Sequence, residues 1–414
     1  MKIKYTKEVL SNGLRVIHHY DSTTPLAVIN VLYDVGARDE NPNLTGFAHL
    51  FEHLMFGGSK NIPLYDPPLQ KAGGENNAFT ANDITNYYLT ISKPNIETGL
   101  WLESDRMLDL DFSEKLLEVQ KKVVIEEFKQ RYLNQPYGDI WLLLRPLAYK
   151  VHPYQWDTIG KNIKHIEQAK LDDVVDFYRK FYNPPNAILS VAGDIDEDKV
   201  FPLIEKWFGG INKPHNYVRQ LPQEPLQTES RRLVVERNVP ANCILIAFPM
   251  VERLHKDYYA YELLMDILSG GESGRLNQEL VKKRQIFSSC NAFILGSNDA
   301  GLLVFRGNVL PDVDIKEAEK AIWEQIDLLK DKGVKDNEMT KILNQTESSL
   351  AFSHVDILEK AINLAFFELL GNAALLDDEL DKYSCVTKED IKRIALETFT
   401  ENKSSTLVYL AKNK

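Results

Sequence analysis

Cysteine is scarce in this chain, and the three present, Cys243, Cys290 and Cys385, are odd in number and widely spaced. That argues against a disulfide framework or a cysteine zinc cluster and leaves three buried small hydrophobes as the expectation. Long apolar runs are lacking too: the longest, Cys243 to Met250, is far too short to span a bilayer. No charged-then-apolar segment opens the chain, where Met1-Lys2-Ile3-Lys4-Tyr5-Thr6-Lys7 leads straight into a strand-like stretch. A cytoplasmic location is the expectation, or a periplasmic one if an export signal has been removed. Basic residues are outnumbered, 49 Lys and Arg against 60 Asp and Glu, giving a formal net charge of -11. The deficit disfavours nucleic acid and anionic membrane as partners and is compatible with neutral or cationic peptides.

What remains is a globular composition, 44% hydrophobic and 26% charged over 414 residues, enough for two or three domains with cores of their own. The first half alternates strand and helix patterns. Gly13–His19 and Leu26–Leu32 read as strands rich in β-branched residues, and Asn77–Thr80 with Thr85–Ile91 as a hairpin. Helical periodicity covers Ile96–Leu110, Ser113–Tyr132 and Leu171–Phe181, and Ala187–Gly193 reads as a buried strand. Between Trp207 and Arg231 the pattern dissolves among Gly209, Gly210, Pro214, Pro222 and Pro225. The second half then repeats the first, with strands at Cys243–Phe248 and Leu302–Gly307 and helices at Asp257–Ser269, Lys316–Lys332 and Asp336–Leu350. It closes on Lys388–Thr398 followed by Thr406–Ala411, which resembles Asp172–Phe181 followed by Ala187–Ala192. The reading is α+β: two tandem copies of a mostly antiparallel sheet packed with helices, residues 1–208 and 231–414, joined by a linker at 209–230.

One helix carries the chemistry. Between Gly46 and Gly57 the chain reads Phe47-Ala48-His49-Leu50-Phe51-Glu52-His53-Leu54-Met55-Phe56, three ionisable groups in an otherwise apolar stretch entered through Thr45, a good N-cap. Burying such groups unpaired costs several kcal/mol, so they call for a reason. At about 100° per residue, His49 and His53 share one face and Glu52 lies about 60° from His49. Two imidazoles at i, i+4 suit zinc, which with a third protein ligand leaves a position for water. Bound zinc brings the pKa of such water to about 7, and an adjacent carboxylate can take its proton. The histidines His18, His19, His152, His165, His215, His255 and His354 lack ligand spacing and read as surface or core residues.

The order H-x-x-E-H is the inverted zincin arrangement. The chain resembles the pitrilysin/insulysin-type zinc metallopeptidases, in the branch that includes mitochondrial processing peptidase. The likeness extends through Asn12-Gly13-Leu14-Arg15-Val16, Gly36-Ala37-Arg38-Asp39-Glu40, Thr45-Gly46, Gly73-Gly74, Asn77-Ala78-Phe79-Thr80, His152-Pro153-Tyr154 and Thr158-Ile159-Gly160. It continues in Leu268-Ser269-Gly270-Gly271 and Gly274-Arg275-Leu276. The resemblance implies one zinc per chain held by His49, His53 and a glutamate on a later helix, with Glu52 as the base. Within Val123-Val124-Ile125-Glu126-Glu127-Phe128 only one of two adjacent glutamates can reach the metal. The family pattern favours Glu127, with Glu126 as the fallback. Two turns earlier the family carries a supporting glutamate, where this chain has Gln120, and Glu118 is a candidate substitute. The resemblance also assigns Asn77, Ala78 and Phe79 to an edge strand to which an extended peptide adds through its backbone.

One part of the family's apparatus is missing. Relatives supply an arginine and a tyrosine that hydrogen-bond the substrate and its developing oxyanion. Val281 stands at the first position and Ser288 at the second, and a shift of register brings only Arg284 and Phe287. Family members form clamshells of four like domains, and this chain offers two. The expectation is a zinc endopeptidase subunit in a heterodimer with a homologous partner that lacks the metal motif and carries the missing pair. The alternative is a non-catalytic peptide-binding or assembly subunit.

Overall fold

The computed structural model describes residues 2–213 and 217–412, so Pro214 and His215 lie outside the described residues. These fall into two compact units, the first made of Met1–Gln130, Trp156–Leu221 and Ala351–Asp378. The second is made of Arg131–Gln155, Pro222–Leu350 and Glu379–Lys414.

In chain order the first 221 residues give β1 (Thr6–Val9), β2 (Arg15–Tyr20), β3 (Leu26–Tyr33), α1 (Phe47–Leu54), α2 (Asp66–Lys71), β4 (Glu75–Thr80) and β5 (Thr85–Ser92). There follow α3 (Ile96–Leu108), α4 (Glu114–Phe128), α5 (Ile140–Ala148), α6 (Ile163–Glu167), α7 (Leu171–Phe181), β6 (Ala187–Gly193) and α8 (Glu197–Phe208). The first unit's sheet has the order β1-β2-β6-β3-β5-β4, with β6 parallel to β2 and antiparallel to β3. Successive side chains of a strand face opposite ways. Val16, Val31 and Leu189 thus join Phe51, Leu100, Phe177 and Ile204 in the core beneath α1, α3, α7 and α8. Their neighbours Ile17, Leu32 and Ile188 pack on the other face against Leu364, Ala365 and Phe367.

The remaining elements are β7 (Arg231–Arg237), β8 (Cys243–Pro249), α9 (Tyr258–Ser269), β9 (Phe287–Leu295), β10 (Leu302–Val309), α10 (Ile315–Lys332), α11 (Asp336–Ser353), α12 (Ile357–Leu369), α13 (Glu379–Ser384), α14 (Lys388–Thr398) and β11 (Ser405–Ala411). The second unit's sheet has the order β7-β11-β8-β10-β9. Strand β11 is parallel to β7 and antiparallel to β8, repeating the relation of β6 to β2 and β3. One α+β design therefore occurs twice, as the sequence pattern implies. The copies are not contiguous in sequence: Ile140, Leu144 and Ala148 of α5 cover the second sheet at Cys243, Leu245 and Val304, and α12, from the second half of the chain, covers the first sheet. Cys243 and Cys290 are buried, whereas Cys385 is exposed. The expectation of three buried thiols fails at Cys385 because it lies between the short α13 and α14, outside both sheets.

Candidate metal centre

Helix α1 is held from behind by its apolar residues. Phe47, Ala48, Leu50, Phe51 and Leu54 are buried, and the Phe51 ring lies 4.4 Å from that of Tyr182 and 5.6 Å from that of Phe177. His49, Glu52 and His53 occupy the half-buried face. Beyond the C-terminal end of α1, the buried Arg106 guanidinium lies 5.4 Å from the Phe56 ring centre and 4.5 Å from that of Tyr87, and is paired with Glu103 at 2.6 Å. Breaking such a buried pair costs about 3–5 kcal/mol, so this end of the site rests on a firm base.

The N-terminal end differs from the sequence expectation. Gly46, at φ 90°, is the N-cap, and Thr45 makes no cap. The Thr45 hydroxyl instead contacts His165 Nδ1 at 2.8 Å and accepts from the Lys161 N–H at 2.9 Å. A side chain on Gly46 would sit 2.7 Å from the Ile159 carbonyl oxygen, and one on Gly160 would sit 2.7 Å from that of Thr45. The Thr45-Gly46 and Thr158-Ile159-Gly160 motifs are thus two backbones in direct contact, which glycine alone permits.

The cap itself comes from further upstream. The buried Glu40 carboxylate accepts the N–H groups of Gly46 and Ala48, each at 2.9 Å, filling donors that a helix leaves unsatisfied. The residues before it fasten the β4–β5 turn. Ala37 N–H donates to the Ala81 carbonyl at 3.2 Å, Arg38 N–H to that of Asn82 at 2.9 Å, and the Arg38 guanidinium pairs with Asp83 at 2.9 Å. Burial pushes the Glu40 carboxyl up from its ordinary 4.5 to about 8, against the pull of the Ala48 and Gly46 donors. The folded chain then keeps a proton that the unfolded chain releases, so stability should fall as pH rises from 4.5 to about 8. The slope should flatten in Glu40→Gln, read by urea unfolding across that window. A slope identical to that of the unmodified chain would exclude Glu40 as its source.

Across from α1 stands α4, started by Ser113, whose hydroxyl accepts from the Leu116 N–H, and buried along Leu117, Lys121, Val124 and Phe128. The α-helical pattern ends at Phe128 and the helix continues as a π-helical turn over Lys129–Leu133, which carries it through Tyr132. The adjacent glutamates diverge. Glu126 points to Lys129, at 2.6 Å, whereas Glu127 Oε2 lies 3.7 Å from His49 Nε2 and 3.5 Å from His53 Nε2. Two imidazole nitrogens and one carboxylate oxygen all fall within 4.8 Å of one another. Ligands about 2.0–2.1 Å from a tetrahedral zinc stand about 3.3 Å apart, so this donor set fits that ion with little movement. Gln120 is half-buried two turns before Glu127 on the same side of α4. Glu118 is committed to Lys121, 2.7 Å away, and does not take the supporting acid's place.

Strand β4 is an edge of its sheet, paired to β5 with Asn77 opposite Tyr88, Ala78 opposite Tyr87 and Phe79 opposite Asn86. Ala78 packs toward the core beneath α1, while Asn77 and Phe79 are exposed. Thr80, the last residue of β4, donates its hydroxyl to Glu52 Oε2. In the sequence Thr80 and Glu40 stand within motifs, and no local signal marks either for a role of its own. In the second unit Val281 packs partly against the core, the Ser288 hydroxyl bonds the Asn308 carbonyl at 3.2 Å, and Arg284 pairs with Glu324 at 2.6 Å.

Residues 15–137 match the model of the insulinase family, peptidase family M16, and residues 168–346 match that of the peptidase M16 inactive domain. The chain belongs to the M16 peptidase family. Among M16 relatives it is 28% identical to the zinc protease PqqE of Helicobacter pylori, over 98% of this chain and 92% of that one. It is 28% identical to the β subunit of the mitochondrial processing peptidase of Saccharomyces cerevisiae, over 60% of this chain and 55% of that one. A crystal structure of a protease from Helicobacter pylori superposes with a TM-score of 0.92 at 28% identity, covering 99% of this chain and 100% of that one. Among the described residues no helix is long and apolar enough to cross a membrane.

Proposed function

We propose that this chain is the metal-holding subunit of a zinc endopeptidase that cleaves extended or unstructured peptides. The observation that supports it most is the approach of His49 Nε2, His53 Nε2 and Glu127 Oε2 to a common point, beside Glu52 on the same helix. His49, His53 and Glu127 would hold the zinc, which when bound acidifies water and polarises a carbonyl. A peptide would pair with the edge of β4 through its backbone, so that recognition depends on extension more than on sequence. Glu52 would take one proton from the attacking water and deliver it to the nitrogen of the scissile amide, so that C–O forms as C–N breaks. Neither Val281 nor Ser288 can serve the developing oxyanion as an arginine and a phenol would. The reading therefore includes a heterodimer, with a homologous partner contributing those groups.

The test is metal content and hydrolysis of an unstructured peptide by the purified chain, alone and mixed with a homologue carrying the arginine and tyrosine. The expected result is one zinc per chain, little cleavage alone, and full cleavage on mixing. Full activity of the chain alone would reject the shared site, and failure to bind zinc would reject the whole reading. Zinc without cleavage in any mixture would favour a non-catalytic peptide-binding subunit.

A further inference from the structure

We propose that Thr80 is a positioning residue that holds the Glu52 carboxylate at the angle proton transfer needs and ties that angle to the peptide-binding edge. The proposal rests on the hydrolytic reading of the site. A glutamate on a half-buried helix face has three rotatable bonds, and holding it in one arrangement requires a partner. The partner here is a hydroxyl donated to Glu52 Oε2 from the end of β4. Threonine suits the task because its β-branch restricts rotation of the side chain, so the hydroxyl is aimed at little entropic cost.

Both ends of this contact are fastened to one short segment. Glu40 holds the start of the helix that carries Glu52, through the Gly46 and Ala48 N–H groups. Ala37 and Arg38 hold the turn that follows Thr80, through the carbonyls of Ala81 and Asn82 and the carboxylate of Asp83. Gly36 lets the segment come so near that a side chain there would lie 2.4 Å from the Asn82 carbonyl oxygen. At the start of β5, Thr85 is the register partner of Thr80 and donates its hydroxyl to the Val35 carbonyl at 2.9 Å. Helix, edge strand and connecting segment form a closed loop of contacts, and the Thr80 to Glu52 bond completes it. A displacement of the strand is then felt by the carboxylate, so the binding edge and the base keep one alignment.

The experiment compares Thr80→Val, which keeps shape and removes the hydroxyl, with Thr80→Ser, which keeps the hydroxyl. Zinc content, kcat and KM are measured in the active assembly. Thermal stability of the metal-free chain is measured in a double-mutant cycle with Glu52→Ala. Misplacing a catalytic group by about 1 Å can cost about 100-fold in rate. Thr80→Val should therefore lower kcat by about 10- to 100-fold, with zinc content and KM little changed, and Thr80→Ser should recover most of the loss. In the cycle, Glu52→Ala should shift the melting temperature less when Thr80 is already valine. Full kcat in Thr80→Val, or additive melting shifts, would overturn the proposal. If the unmodified chain bound zinc but cleaved nothing, the hydrolytic reading would fail. The cycle would still decide whether Thr80 holds Glu52.

Discussion

Replacing Glu52 with glutamine is expected to lower turnover by about 100- to 10,000-fold while the chain still binds one zinc, because the change removes proton transfer and leaves the ligands intact. Glu52 stands outside the donor set formed by His49, His53 and Glu127. Glutamine has nearly the same volume and can still accept the Thr80 hydroxyl, so the contact from β4 survives the change. The helix would be undisturbed, since its stability comes from Phe47, Leu50, Phe51 and Leu54 on the opposite face. Metal analysis together with kcat on an unstructured peptide checks the prediction. Turnover within about tenfold of the unmodified enzyme would reject Glu52 as the base. Loss of zinc would mean that the substitution acts on the metal site and not on the proton.

Much of this site is legible in the sequence because helical geometry is regular. Spacing alone puts His49 and His53 together, and they stand with ring centres 4.8 Å apart. Strand patterns rich in β-branched residues likewise locate β3, β5, β6 and β8. Other features depend on contacts far apart in sequence. The first N–H groups of α1, which has Gly46 as its N-cap, are satisfied by Glu40 and not by Thr45, and no local capping rule reaches that far upstream. Strand β7 reads Arg231-Arg232-Leu233-Val234-Val235-Glu236-Arg237, so its charges mask a strand that is stabilised by pairing with β11. Helices α5 and α12 have apolar faces, but periodicity does not say which sheet an apolar face will cover. The pairing partners do, and they lie on the other half of the chain. In the second unit Ser288 and Arg284 make contacts of their own, with the Asn308 carbonyl and Glu324.

Glu127→Gln and Glu126→Gln should part company by more than about 100-fold in zinc affinity. Loss of an outer-shell partner of a metal ligand already costs about 10- to 100-fold, and loss of a ligand's charge should cost more. The two residues are adjacent on one helix and differ by about 100° in direction, so the same substitution at Glu126 controls for the change of residue type. Glu126 spends its carboxylate on Lys129 at the surface, an exposed pair worth about 0–1 kcal/mol. Its replacement should leave both stability and metal content almost unchanged. Glu127 faces both imidazoles at 3.7 and 3.5 Å, and its replacement removes the only negative charge of the donor set. The metal-free chain offers a second readout. There Glu127 lies 3.7 and 3.5 Å from the two imidazoles, so Glu127→Gln should shift the melting temperature of the metal-free chain and Glu126→Gln should not. Equal zinc affinities in the two variants would move the third ligand away from α4 altogether.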